Sequence, residues 1–164
     1  MQKLIGRVWK YGDNINTDII SPPAYMELSV KDAAKYAMST VDTEFAKECR
    51  QGDIFVAEHN LGSGSSRETS PLTLRELGIR TIIAKDYARI FYRNCINVGI
   101  LAIECADTDK IARFDELEID CEAGKIYNRT KDERYVCDKI PEHIMSLVNC
   151  GGMVEYLDKK INHR

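Results

Sequence analysis

Apolar and polar positions change period several times along this chain, and those changes lay out its elements in order. Val8-Trp9-Lys10-Tyr11 reads as a first strand, and residues 53–57, 80–84 and 100–103 are short, largely apolar runs of the kind a strand buried on both faces needs. Between them the period lengthens to that of a helix. Residues 72–77 predict a short helix closed by Gly78. Residues 87–97 predict a longer one, with Tyr87, Phe91 and Cys95 on one face, Arg89, Arg93 and Asn97 on another, and Gly99 as its stop. Two successive strand–loop–helix–strand units imply an α/β layer with parallel pairing and right-handed crossovers.

The flanking segments are different in kind. Gly12-Asp13-Asn14-Ile15-Asn16-Thr17-Asp18 is too polar to prolong a strand and reads as a loop, after which Ser21-Pro22-Pro23 holds the chain extended. Ser29 is placed to cap a helix over 30–38, and a second helix over 42–50 would end near Gly52. Beyond the α/β units, 117–121 and 125–128 flank Glu122-Ala123-Gly124 as a hairpin, with a short strand at 135–137. A helix follows from Pro141 to Val148, and a last one spans 153–160. The expected architecture is one α/β domain over 1–164, a mixed sheet with flanking helices and an antiparallel β annex.

Composition narrows the function. With 164 residues the chain buries a real core but is short for a self-sufficient multi-step enzyme, which raises a partner chain early. Its 23 Lys and Arg against 26 Asp and Glu are interspersed, arguing against a nucleic-acid groove or an anionic membrane surface. No leader pattern or membrane-length apolar run is seen, so a soluble cytoplasmic protein is expected. The six cysteines show no Cys-x-x-Cys and no histidine pair, and are expected to be mostly reduced and buried, with no metal or cluster ligand set.

Chemistry is concentrated in Gly62-Ser63-Gly64-Ser65-Ser66-Arg67-Glu68, which follows a strand and precedes a helix. Glycines permit tight turns, successive amides can face one anion, and two hydroxyls and a guanidinium stand beside them. A P-loop is excluded by the missing Gly-Lys-Ser/Thr, and a dinucleotide fingerprint by Arg67 in place of its third glycine. A carboxylate site fits better, because Arg67 offers a two-pronged donor and the backbone amides favour a serine oxyanion. Ser65 and Glu68 also fit a capping box, although Pro71 would then lie inside the helix; Ser70 as cap with Pro71 in the first helical position costs less. The residues alone leave ligand site and plain turn evenly open.

Other candidates carry less. Asp13, Asn16 and Asp18 crowd one loop and suit a metal or simply an Asx turn, and His59 beside the glycine loop suits a general base or a hydrogen-bonded strand end. The Arg89/Arg93 stripe reads as a solvated or partner-facing face, and Cys95 as packed.

Taken in order, Gly12-Asp-Asn-Ile-Asn-Thr-Asp18, the Gly62–Glu68 motif and Ala88-Arg-Ile-Phe-Tyr-Arg-Asn94 resemble the small subunits of 3-isopropylmalate dehydratases, free-standing swivel domains of the aconitase family. The resemblance spans residues 6–156 and implies a swivelling β/β/α fold of the aconitase type. It implies a hydro-lyase of two chains, a heterodimer or heterotetramer, whose large subunit carries a 4Fe–4S cluster on its own cysteines. By the same resemblance Ser65 is the catalytic base, and Asp18 is the active-site aspartate that positions acid–base groups. Ser66 and Arg67 contact a substrate carboxylate, and Ser21 lies near substrate. The segment Tyr25-Met26-Glu27-Leu28 reads the substrate: relatives acting on tricarboxylates place an arginine there, whereas Glu27 repels a third carboxylate and Tyr25 and Met26 suit an alkyl group.

The implied substrate is a small dicarboxylic 2-hydroxy acid, an alkylmalate. Isopropylmalate in leucine biosynthesis comes first, and 2,3-dimethylmalate in nicotinate breakdown second, because Ser63, Thr69-Ser70 and Ser21-Pro22-Pro23 depart from the usual isopropylmalate pattern. A rival of another class is a non-catalytic anion-binding or assembly module.

Overall fold

The computed structural model describes residues 3–65 and 68–162. The first strand, β1 (Lys3–Lys10), is longer than its apolar core because it pairs on both sides. It runs parallel to β2 (Ile54–Val56), with Trp9 opposite Phe55, and antiparallel to β5 (Glu116–Asp120), with Ile5 opposite Glu118. Strands β3 (Thr81–Ala84) and β4 (Leu101–Glu104) extend the parallel side, while β6 (Lys125–Asn128) and β7 (Glu133–Val136) extend the antiparallel side. The seven-stranded order is β4-β3-β2-β1-β5-β6-β7. The outermost strands meet again where Cys105, after β4, bridges antiparallel to Cys137, after β7, so the sheet curls until its two edges touch.

The apolar runs are explained by this placement. Along the parallel strands Trp9, Phe55, Ile82 and Ala102 enter a core under the helices, whereas Val8, Ile54, Val56, Ile83, Leu101 and Ile103 enter a second core inside the curl, joined by Leu117, Ile119 and Ile126. Both faces are dry, so no polar alternation survives.

The helices are α1 (Thr17–Ile20), α2 (Val30–Ala33), α3 (Phe45–Glu48), α4 (Thr69–Glu76), α5 (Arg89–Asn97), α6 (Glu142–Asn149) and α7 (Met153–Asn162). Strands, α5, α6 and α7 fall where the pattern placed them, with ends moved by a residue or a few. Three segments differ. The loop after β1 ends in α1, capped by the Asn16 side chain, which accepts from the Ile19 N–H at 2.9 Å. The helix over 30–38 stops after α2 and one 3₁₀ turn, because Met38 turns left-handed at φ 62° to sink its side chain and donate to the Ile20 carbonyl. The helix over 42–50 is reduced to α3, because the Asp53 carboxylate takes the Arg50 N–H at 2.9 Å and pulls the chain into a turn.

Helix α4 starts at Thr69, not after a Ser70 cap. Pro71 is its third residue, where the absent N–H would have had no intrahelical acceptor, and the Ser70 hydroxyl is buried, donating to the Thr17 carbonyl at 3.3 Å.

Asp42 braces this region to the sheet, accepting from Tyr11 Oη and Arg113 Nη2, both at 2.7 Å, and from the Glu44 N–H. Burial raises its pKa, but the hydrogen bonds from Tyr11, Glu44 and Arg113 outweigh it and hold the carboxyl below the usual range. A depressed folded pKa contributes stability that is full above the unfolded value of about 3.9 and is lost as pH falls through the folded value. Asp42→Asn should therefore cost about 1–3 kcal/mol at pH 7 and shrink that difference as the pH of chemical melts is lowered from 5 to 2. A difference unchanged by acid would show that charge on Asp42 contributes nothing.

Candidate active site

Strands β1, β2 and β3 run parallel, so the loops leaving their C-terminal ends emerge at one edge and can meet. The loop after β1 lies against the glycine loop after β2: Asn14 N–H donates to the His59 carbonyl, Gly62 N–H to that of Ile15 at 2.7 Å, and Thr17 N–H to that of Ser63. Thr17, 2 % exposed, ties the two together, since its Oγ1 also donates to the Ser65 carbonyl at 3.0 Å. The loop after β3 joins through Leu61 and Tyr87, which form a parallel bridge, and delivers α5 beside it.

Ser65 comes out of this arrangement exposed. Helix α4 has Glu68 at its N-cap position and no side-chain cap, so the Ser65 hydroxyl is not spent on a capping box. Its described contact is a loose one, 3.4 Å to Thr17 Oγ1. It faces a hollow of about 210 Å³ whose other walls are Thr17, Gly62, Gly64, Phe91, Arg89 and Asn94. Arg89, read from the sequence as a solvated or partner-facing residue, thus lines the same hollow as the serine, and no described acidic side chain pairs with it. Helical spacing placed Arg89 on a polar face; it carried no signal that this end of the face meets the glycine loop.

A second hollow of about 310 Å³ opens at the other end of α1, which contributes Thr17 to the first and leads into Ser21 at the second. Ser21, Tyr25 and Met26 stand together there with Leu28, Val30 and Leu72, and Thr69 closes the α4 side. Tyr25 is held by stacking on Tyr36, ring centroids 3.8 Å apart and planes 4° apart, and Ser21 Oγ lies 3.0 Å from Thr73 Oγ1. Asp18 sits on α1, exposed, and lines neither hollow. Glu27 is exposed and lines neither. Ser66 and Arg67 lie outside the described residues.

His59 belongs to structure. Its Nδ1 is 2.7 Å from Asp86 Oδ2, its N–H donates to Asp13, and it lines neither hollow. The hydrogen bond from His59, with that from the Asn60 N–H, holds Asp86 below the usual carboxylate range. Asn16 is likewise engaged as the cap of α1, and Asp13 in the cross-loop hydrogen bond from His59.

The cysteines do not suit a cluster. Cys95, Cys105, Cys121 and Cys137 are buried, and burial pushes the thiols up, Cys121 to about 11 and Cys137 to about 12, so they are protonated. Among the described residues no group of three or more His, Cys, Asp or Glu is arranged to hold a metal ion. No described helix is long and apolar enough to cross a membrane.

A curled mixed sheet with helices on one face and its functional loops at one strand-end edge is the swivelling β/β/α architecture. The chain belongs to the aconitase C-terminal domain family, whose model matches residues 13–108. It is 47% identical over 93% of its length to a 3-isopropylmalate dehydratase small subunit of Archaeoglobus fulgidus, covering 95% of that protein. It is 44% identical over 95% of its length to an isopropylmalate/citramalate isomerase small subunit of Methanocaldococcus jannaschii, covering 94% of it. The crystal structure of a 3-isopropylmalate dehydratase (LeuD) from Methanocaldococcus jannaschii superposes with a TM-score of 0.92 at 36% identity, over 98% of this chain and 96% of that one.

Proposed function

We propose that this chain is the small subunit of a cytoplasmic two-chain hydro-lyase that interconverts 2- and 3-isopropylmalate through isopropylmaleate, in leucine formation. The observation that carries this reading is the pairing of a hollow shared by a loosely held serine hydroxyl and an arginine with a largely apolar hollow, at opposite ends of α1.

Ser65 takes the proton from the carbon next to the one bearing the hydroxyl. An alkoxide is costly, and the Arg89 cation and the amides of the glycine loop lower that cost where the charge develops. Ser66 and Arg67 hold a substrate carboxylate, the guanidinium through two parallel bonds. Asp18, on the short helix whose two ends each border one hollow, orients the acid–base groups. The alkyl branch enters the hollow of Tyr25, Met26, Leu28 and Leu72, whose described lining holds no arginine for a third carboxylate, and Glu27, next in the chain to Met26, adds repulsion. The 4Fe–4S cluster, held by the large subunit on its own cysteines, supplies Lewis-acid pull on the substrate hydroxyl when bound.

The test is anaerobic reconstitution with a cluster-loaded large subunit from the same source, following absorbance of the unsaturated diacid. 3-Isopropylmalate, citramalate, 2,3-dimethylmalate and homocitrate are offered in turn. Isopropylmalate should lead the methyl-bearing substrates in kcat/KM by on the order of tenfold or more, since each methylene in an apolar pocket discriminates by that much. A lead for 2,3-dimethylmalate would rename the substrate within the same reaction. Equal turnover of homocitrate would overturn the assignment of the apolar hollow. No turnover by an intact complex, with phosphate binding to the isolated chain, would favour an anion-binding module.

A further inference from the structure

The seam where the curled sheet closes carries two thiols face to face. Cys105 follows edge strand β4, Cys137 follows edge strand β7, and the two are antiparallel bridge partners. Neither amide is spent on the other residue: Cys105 N–H donates to the Ala84 carbonyl and Cys137 N–H to that of Gly124, while Asp138 N–H crosses the seam to the Glu104 carbonyl at 3.1 Å. That is the non-hydrogen-bonded register of an antiparallel pair, in which facing Cα atoms stand about 4.5 Å apart with their side chains close. A disulfide spans Cα separations of about 4.4–6.8 Å. The Cys105 thiol already reaches across, donating to the Val136 carbonyl at 3.4 Å.

We propose that Cys105 and Cys137 form a redox-dependent disulfide that staples the two edge strands of the sheet and closes the curl covalently. Cys105 and Cys137, 2 % and 8 % exposed, both line a surface depression of about 310 Å³ with Lys85, Glu104 and Asp138, which gives a small reagent a path to the seam. Cys121, also close enough to act electrostatically on Cys137, stands opposite no residue across the seam and does not line the depression. Burial pushes both seam thiols above the ordinary range, so the bond forms slowly near neutral pH and faster in alkali. The Glu104 and Asp138 carboxylates at the rim favour an uncharged oxidant over an anionic one.

The oxidant is a neutral low-molecular-weight disulfide. One cysteine thiolate attacks a reagent sulfur and releases one small thiol. The other attacks the resulting mixed disulfide and releases the second, so the protein gives up two protons and two electrons, and the reagent is reduced to two thiols.

The test treats the reduced, folded full chain with hydroxyethyl disulfide at pH 8.5 and reads intact mass, non-reducing peptide maps and thermal melts. A loss of about 2 Da with a Cys105–Cys137 peptide is expected. The melting midpoint should rise by roughly 5–10 °C, because the bond closes a loop of about 30 residues in the unfolded chain. Cys121→Ser should behave the same, whereas Cys105→Ser and Cys137→Ser should each stop at a mercaptoethanol adduct. A linkage through Cys121, or a Cys105–Cys137 bond that appears only in denaturant, overturns the proposal. Reagent consumption at the half-buried Cys49 and Cys150 alone overturns it as well.

Discussion

Ser65→Ala is expected to lower kcat of the reconstituted enzyme by roughly 10²–10⁴-fold, the range over which a positioned proton-transfer group acts, with little change in KM. The fold should not notice. The hydroxyl makes only the 3.4 Å contact to Thr17 Oγ1, and the bond that fixes the loop runs from Thr17 Oγ1 to the Ser65 backbone carbonyl, which alanine keeps. The melting midpoint and elution with the large subunit should match the parent within error. Arg89→Ala gives the informative comparison, since Arg89 shares the hollow while Arg93, one turn on, does not line it. Near-full activity of the Ser65→Ala complex would remove the base and leave the glycine loop a binding element.

Gly62→Ala should be the most damaging small substitution in the loop. Gly62 sits at φ 85°, which L side chains adopt only under strain, and a Cβ there would stand 2.0 Å from Phe91 Cγ and 2.3 Å from Phe91 Cβ. Phe91 cannot swing aside, because its own Cβ is part of the clash and it is 2 % exposed in the helix-side core. Strain and overpacking together cost roughly 2–4 kcal/mol, a fall of about 5–15 °C in melting midpoint. The loop must also move, and displacement by about 1 Å costs on the order of 10²-fold in rate. Gly64→Ala carries the same kind of backbone strain, but its nearest neighbour is Thr17 Oγ1 at 3.3 Å, so it should melt several degrees higher than Gly62→Ala. Melts of the two variants side by side check this. Equal midpoints would mean that packing on Phe91 is not what holds the glycine loop.

Both expectations rest on a division visible in particular residues. The runs around Phe55, Ile82 and Ala102 announced buried strands, because a strand dry on both faces must be apolar at every position, and the 3.6 period of Phe91 and Cys95 announced α5. Gly62, Ser65, Glu122-Ala123-Gly124 and Pro141 marked turns and ends through backbone preferences that act within a few residues. The segments 30–38 and 42–50 are not full helices because distant partners decide their ends: Ile20 accepts from Met38, and the Asp53 carboxylate that takes the Arg50 N–H is itself held by Arg7 and Trp9 of β1.

The sequence by itself therefore determined most of the strands, the helices α5, α6 and α7, the turns between them, and that Ser65 stands in a glycine loop between a strand and a helix. Only the tertiary structure decided that β1 lies at the centre of a mixed sheet, that Thr17 ties two loops 48 residues apart, that Arg89 and Ser65 line one hollow, and that Cys105 meets Cys137 across a closed seam. The reason is physical. Period and turn chemistry are written in neighbouring residues, whereas strand order, register and the meeting of loops depend on which apolar faces find one another across the whole chain.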